Sequence, residues 1–261
     1  MTAFKSSPDS PDAVEYFNSR TGRLQRIART RPVHDSLEKD VGLKKKWKEQ
    51  IKLKLYDCQM APNPRRARIF IAEKGLDIPK KEINILEGEN LKEDYLKVNP
   101  WGMLPALQLD DGTVITEAPC IFRYLENQHP EPNLMGNDPL ESAQIEAWER
   151  FAEMQGMGAI GEFFRNQTEV LKDRAMPGFS GIALIPELVE RGKKRTAWFY
   201  QQLEKRLGES EYVGSDRYTA ADITAQCAVD FANAAGLPVP DDCPNVSRWL
   251  KAVGSRASAS A

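Results

Sequence analysis

No Cys-x-x-Cys pair occurs in this chain. Its four cysteines, Cys58, Cys120, Cys227 and Cys243, lie far apart, which excludes a thioredoxin-type dithiol and reads as a reduced, cytoplasmic protein. Histidine is scarce: His34 and His129 sit in loop-like surroundings, neither at ligand spacing from a cysteine or carboxylate, so no metal is expected. Also missing are a G-x-x-x-x-G-K-S/T phosphate loop, a G-x-S-x-G elbow and any Ser/His/Asp set. No apolar run approaches the ~18 residues that span a bilayer, and no charged-then-apolar leader opens the sequence. A net charge of −2 with 28% charged residues gives no electrostatic case for nucleic acid or a membrane as partner.

What the chain does have is strand/helix alternation. At 261 residues it fits two compact domains plus an extra segment. Residues 51–56 read as a strand, followed by a break at Ala61-Pro62-Asn63-Pro64 and a helix ending at Lys74-Gly75. A second strand around 82–86 and a second helix over 90–98 come next. After Asn99-Pro100-Trp101-Gly102 follows a hairpin, 106–109 with 113–115, turned at Asp110-Asp111-Gly112, and Glu117 opens a third helix. The order β-α-β-α-β-β-α puts one crossover, one connecting helix and one hairpin on a small mixed sheet. That is a thioredoxin-like α/β plan for 51–127.

The remaining segments read differently. Residues 1–50, an N-terminal extension, are polar and carry Arg20, Arg23, Arg26 and Arg29 at intervals of three. Such spacing suits a stripe on a short helix, while a solvated, loosely packed arm is the plainer reading. Residues 128–138 are rich in proline, glycine and asparagine and read as a linker. Residues 139–255 form an all-α helical bundle domain, and 256–261 a tail. Its first helix, 140–166, carries Ile145, Trp148, Phe151, Ala152, Gln155 and Ala159 at helical intervals. Gly156, Gly158 and Gly161 inside it permit either close packing or space for a ligand. A second long helix over 186–207 ends at Gly208. Thr219-Ala220-Ala221-Asp222 has the form of a capping box, with Tyr218 and Ile223 as its staple.

Over roughly 51–250 these motifs resemble the cytosolic glutathione transferase superfamily. "LYDCQMAPNPRRARIFIAEKGLDI" is similar to its first strand, active-site loop and first helix, and "NPWGMLPAL" to its cis-proline turn. "TVITEAPCIFRYLENQHPE" is similar to its hairpin, glutathione-binding turn and third helix, and "YVGSDRYTAADITA" to its second-domain capping segment. The resemblance implies that Pro105 is cis, turning the Leu104 N–H and C=O outward to pair with the glutathione backbone as an added strand. It implies that Glu117 takes the γ-glutamyl amino group at a helix N-terminus. Ala118 stands where the family usually has serine, so the amide survives and the hydroxyl does not; Met103 stands where many members have lysine.

The activating residue departs further from the pattern. The serine or cysteine position is Ala61, and the tyrosine position falls near Asp57, so Tyr56 is displaced by one and faces the other side of its strand. Asn63 matches the asparagine of the bacterial Nu class, a branch linked to disulfide-bond reduction. Its amide and the helix N-terminus would together lower a thiol pKa without an ionisable residue. A cap on the helix ahead of Pro64 is an equal reading of Asn63. Cys58 reads as a small buried thiol ahead of a mixed-disulfide partner, and Cys120 as core. The acceptor is expected between the domains, against Trp148, Phe151, Met154 and Phe164 with Arg165 at the rim, although a helical stripe is core by default. The implied protein is a cytoplasmic, homodimeric detoxifying transferase. It uses glutathione and no metal on a small hydrophobic electrophile or a disulfide. A glutathione-binding module without catalysis is the alternative.

Overall fold

The computed structural model describes strands Ala13–Asn18 and Arg23–Ala28 and all residues from 53 to 261. The chain falls into two compact units, Met1–Ile51 and Lys52–Ala261. In the first, β1 (Ala13–Asn18) and β2 (Arg23–Ala28) pair antiparallel, from Ala13 opposite Ala28 to Asn18 opposite Arg23. Arg23 and Arg26 therefore lie on a strand, not on a helical stripe. Val14, Tyr16, Phe17 and Ile27 favour that extended state and outweigh the arginine spacing. Arg20, Arg29 and His34 lie outside the described residues.

The second unit opens with a four-stranded sheet, ordered β4-β3-β5-β6. Here β3 is Lys54–Asp57, β4 Lys80–Glu82, β5 Ala106–Gln108 and β6 Val114–Thr116. β3 runs parallel to β4 and antiparallel to β5, which runs antiparallel to β6. Alternation along β3 sends Leu55 to the main core and Tyr56 to a separate cluster with Ile83, Tyr95 and Ala106. On the main-core side pack α1 (Pro62–Glu73) and α3 (Ala118–Gln128), where the rings of Phe70 and Phe122 stack at 4.5 Å. Ala118, Ile121, Phe122 and Leu125 form the buried stripe of α3, and Cys120, expected in the core, falls off that stripe and is exposed.

Two elements differ from expectation for local reasons. The second strand lies earlier, at Lys80–Glu82, because Asn84 Oδ1 accepts from Leu86 N at 3.0 Å and Glu87 N at 3.3 Å and bends the apolar run away. The helix expected over 90–98 is interrupted. A 3₁₀ turn, Glu89–Leu91, precedes α2 (Glu93–Leu96), and Lys92 between them is extended at ψ 151°. The Asn90 amide is held instead by the Gly102 carbonyl at 2.7 Å.

The helical half begins with α4 (Pro139–Phe151), capped by Asp138 Oδ1, which accepts from the Leu140 and Glu141 amides at 2.8 and 2.9 Å. A π segment, Ala152–Met157, joins it to α5 (Gly158–Gln167). α6 (Pro186–Glu209) runs past Gly208, the expected stop, and is followed by α7 (Ala220–Ala234) and α8 (Pro244–Gly254). The glycines of the first rod divide in role. A Cβ on Gly156 would come within 2.8 Å of the Phe199 ring and 3.0 Å of the Ala228 Cβ, whereas Gly161 has nothing within 4 Å. Gly156→Ala is expected to destabilise by about 1–3 kcal/mol through overpacking. Gly161→Ala should stabilise by about 0.5–1 kcal/mol through the unfolded chain. Urea unfolding of the two variants checks both signs.

The final residues are docked on α1. The Glu73 carboxylate accepts from Arg256 Nη2 at 2.7 Å, Arg256 Nε at 2.8 Å and the Ser258 hydroxyl, and Arg65 Nη2 donates to the Ala259 carbonyl at 3.0 Å. Burial opposes ionisation of Glu73, but the hydrogen bonds from Arg256 and Ser258 outweigh it and hold the carboxyl below its usual range. A depressed acid contributes stability that is complete above its unfolded pKa, about 4.3, and is lost as pH falls through the folded value. Glu73→Gln should therefore melt below the parent at neutral pH, and the two should converge in acid. Melting curves across that range test it.

Candidate functional site

The strand register gathers three chain segments at one end of the sheet. Tyr56 pairs with Ala106, and Ala106 with Thr116. The loop leaving β3 (58–61), the turn entering β5 (103–105) and the residue leaving β6 (Glu117) therefore emerge side by side. Asn63 follows at the start of α1. Sequence-distant motifs are thus made neighbours by pairing alone.

The loop after β3 is shaped by a buried ion pair. Arg68 Nη1 donates to Asp57 Oδ1 at 2.6 Å, and the same guanidinium reaches the Cys58 and Gln59 carbonyls at 3.3 and 3.0 Å. Asp57 is committed to this brace. Tyr56 turns the other way, its hydroxyl donating to Gln108 Oε1 at 3.2 Å and its ring edge-on to Tyr95 at 5.7 Å. Cys58 is buried, and burial pushes its thiol pKa up, which favours an inert, protonated sulfur over a nucleophile.

The turn into β5 holds Leu104-Pro105 in cis. Its preceding carbonyl, that of Met103, is fixed from inside by the Tyr95 hydroxyl at 2.6 Å and Asn99 Nδ2 at 2.8 Å. Gly102, at φ 63°, sits so close to the Asn90 carbonyl that a Cβ would approach it at 3.1 Å. The turn is thus anchored by side chains of 90–99, and the half-buried Leu104 lies at this end of the sheet, just ahead of β5.

Glu117, the N-cap residue of α3, has φ 66° and ψ 127°. For a residue with a Cβ this conformation costs on the order of 1–3 kcal/mol, and such strain clusters at binding and catalytic positions. Pro119 has no N–H, and Cys120 N donates to the Glu117 carbonyl at 3.1 Å. Ala118 follows as a buried residue of the first turn, beside the exposed Glu117.

At the first helix the cap is Ala61, with Pro62 and Asn63 as the first two helical residues. Asn63 is therefore not the N-cap residue that the alternative reading made it. Asn63 is exposed, and its Oδ1 accepts from Arg66 Nη1 at 2.9 Å, which leaves the side-chain NH2 as its donor. Arg66 itself is buried. It donates from Nε to Thr224 Oγ1 at 3.1 Å, from Nη1 to Glu153 Oε1 at 2.7 Å and from Nη2 to Glu149. Sequence reasoning did not single out Arg66, Glu149 or Glu153. The four-residue spacing of the two glutamates on one helical face was the available signal.

The aromatic residues expected to receive an acceptor are distributed between two places. Trp148 and Phe151 meet edge-on at 5.4 Å, with Trp198 and Phe199 of α6 packed on Phe151 at 5.5 and 5.9 Å. Phe164 lies edge-on to Phe231 of α7 at 5.3 Å, and Met154 is exposed. Arg165 is occupied with the loop after α5, donating to the Ala175 carbonyl at 3.0 Å and to that of Arg174. That loop crosses to the sheet half. Arg174 donates to the Ile85 and Leu86 carbonyls at 2.8 and 2.9 Å. Gly178 packs on the turn, where a Cβ would lie 2.3 Å from the Trp101 carbonyl and 3.4 Å from Met103 Cγ. The exposed side chains of Trp101, Met176 and Phe179 give this edge an apolar surface that sequence periodicity did not reveal. Among the described residues no group of three or more His, Cys, Asp or Glu could hold a metal, and no helix is long and apolar enough to cross a membrane.

A four-stranded thioredoxin-like sheet with a cis-proline turn and a strained acidic cap at one end, followed by a helical half, defines a thioredoxin-like α/β plus all-α architecture. The model of the glutathione S-transferase N-terminal domain matches residues 61–128, and that of its C-terminal domain residues 175–257. Glutathione S-transferase 2 of Saccharomyces cerevisiae is 32% identical over 219 residues, covering 79% of this chain and 88% of its own. A glutathione S-transferase domain-containing protein of Marinobacter aquaeolei VT8 has the same fold, with a TM-score of 0.73 at 32% identity over 78% of this chain and 98% of that one. Gtt2 from Saccharomyces cerevisiae gives 0.73 at 30% identity over 78% and 97%. The chain belongs to the glutathione transferase superfamily.

Proposed function

We propose that this protein holds glutathione across the sheet end by the Leu104 backbone, Glu117 and the Ala118 amide, and uses Asn63 to stabilise its thiolate. The activated sulfur then attacks a hydrophobic electrophile or a disulfide. The observation that carries the reading is the juxtaposition of the cis Leu104-Pro105 turn with Glu117 held at φ 66°, since an acid kept in so unfavourable a conformation needs a reason beyond packing. The side-chain NH2 of Asn63 supports thiolate stabilisation. The apolar edge at Trp101, Met176 and Phe179 supports a hydrophobic second substrate. We propose further that the protein acts as a cytoplasmic homodimer.

The non-catalytic alternative draws on Ala61, which offers no hydroxyl at the usual activating position. Titrating glutathione and glutathione disulfide against the melting temperature, then assaying a model electrophile and a model disulfide, separates these readings. Stabilisation by glutathione with turnover of either substrate supports the enzyme; stabilisation without turnover supports the module. Glu117→Gln should weaken glutathione affinity by about 1–3 kcal/mol, because a charge-assisted bond to the amino group is lost. Calorimetric affinity equal to the parent's would remove the γ-glutamyl group from this position.

A further inference from the structure

Arg66 is 1% exposed and bonds four side chains at once. Three of them, Glu149, Glu153 and Thr224, belong to the helical half, and the fourth is Asn63 at the mouth of the active-site loop. The charge balance is closed without Asn63: Arg150 pairs with the same two glutamates, so two cations face two anions. Both carboxylates are thereby pinned from two sides, and Thr224 Oγ1 donates to Glu149 Oε1 at 3.1 Å. Glu153 lies on the π segment Ala152–Met157, a widening of the helix that is frequent at functional sites. The bond to a neutral, exposed amide is the one this cluster does not need for its own neutrality.

We propose that Arg66 is a positioning residue that fixes which way the Asn63 amide faces, so that Nδ2 and not Oδ1 meets a thiol bound at the start of α1. This rests on the thiolate reading given above. Turning the amide over would set an NH2 against a guanidinium NH2 at 2.9 Å, two donors with no acceptor between them. With Oδ1 on the cation, the amide is polarised toward its nitrogen, and its N–H groups become better donors to an anion. Pro62 and Pro64 on either side restrict the backbone that carries Asn63. An oxygen facing a thiolate would repel it; a fixed NH2 lowers its energy.

The test is an ultraviolet titration of glutathione thiolate on the intact protein, comparing the parent with Asn63→Ala, Asn63→Asp and Arg66→Lys. Asn63→Asp keeps an oxygen for Arg66, so it should melt at or above the parent temperature, yet it replaces the side-chain donor with an anionic oxygen. The pKa of its bound thiol should rise by at least about one unit, and by more than that of Asn63→Ala. Arg66→Lys keeps the charge between Glu149 and Glu153 but has no planar fork to serve Asn63 as well. It should bind glutathione as the parent does and titrate like Asn63→Ala. A folded Asn63→Asp or Arg66→Lys that titrates like the parent, while Asn63→Ala does not, overturns the positioning role alone. A parental titration in Asn63→Ala overturns the thiolate reading with it. Should Arg66→Lys fail to fold, the Asn63→Asp comparison decides.

Discussion

Asn63→Ala will lower turnover at neutral pH by about 1.5–3 kcal/mol in activation free energy, roughly ten- to a hundredfold, with a smaller change in glutathione affinity. A hydrogen bond to a charged group is worth that much, and the bond matters most to the charged sulfur that exists after deprotonation. Raising the pH should restore part of the rate, because hydroxide then supplies the thiolate that the protein no longer favours. Initial rates against pH for parent and variant check this directly. The residue is not the cap of α1, so a change confined to thermal stability would leave Asn63 without a catalytic role. Ala61→Ser provides the complementary measurement: a gain in conjugation activity would show that the pocket retains serine-type geometry. Silence in both variants would favour the binding module.

Asp222→Ala will destabilise the helical half by about 3–5 kcal/mol, lowering the melting temperature by about 10 °C. The side chain is fully buried and accepts from the amides of Val213 and Thr219 and from Trp249 Nε1, each at 2.9 Å. It completes the capping box of α7, with Tyr218 and Ile223 buried as the staple. Removing the carboxylate strands the buried donors of Val213, Thr219 and Trp249. Burial pushes its pKa up to about 6, against the pull of those hydrogen bonds. A raised acid favours the protonated fold, so its contribution is fully present below the unfolded value and declines as pH rises through about 6. The gap between parent and variant should therefore narrow from about pH 4 to pH 7, as denaturant melts at several pH values will show.

These two sites illustrate what the sequence made legible. The capping box and the hairpin turned at Asp110-Asp111-Gly112 depend on residues within a few positions of one another, so their chemistry is written locally, whereas the cis state of Pro105 came from the family resemblance. The hairpin pairing of β5 with β6 followed from the order of elements, whereas the pairing of β3 with β5, which sets the loop after β3 beside the turn into β5, is seen only in the structure. Arg66 was hidden because its partners Glu149 and Glu153 stand 83 and 87 residues away, a separation over which no periodicity speaks. The single helix expected over 90–98 breaks at the extended Lys92, while the Asn90 side chain is held by the Gly102 carbonyl, a tertiary contact that sequence propensity does not show. The hairpin at 13–28 was obscured by an arginine spacing that mimics a helix, although Val14, Tyr16 and Phe17 carried the contrary signal.

The decisive quantity is the thiol pKa of glutathione bound to the parent protein. Its measurement is a thiolate absorbance titration with protein in excess over glutathione. Half-ionisation is expected well below about 8.5, the value of an ordinary cysteine thiol, with the shift largely abolished in Asn63→Ala. Bound glutathione that titrates at the same pH as free glutathione would contradict the thiolate reading.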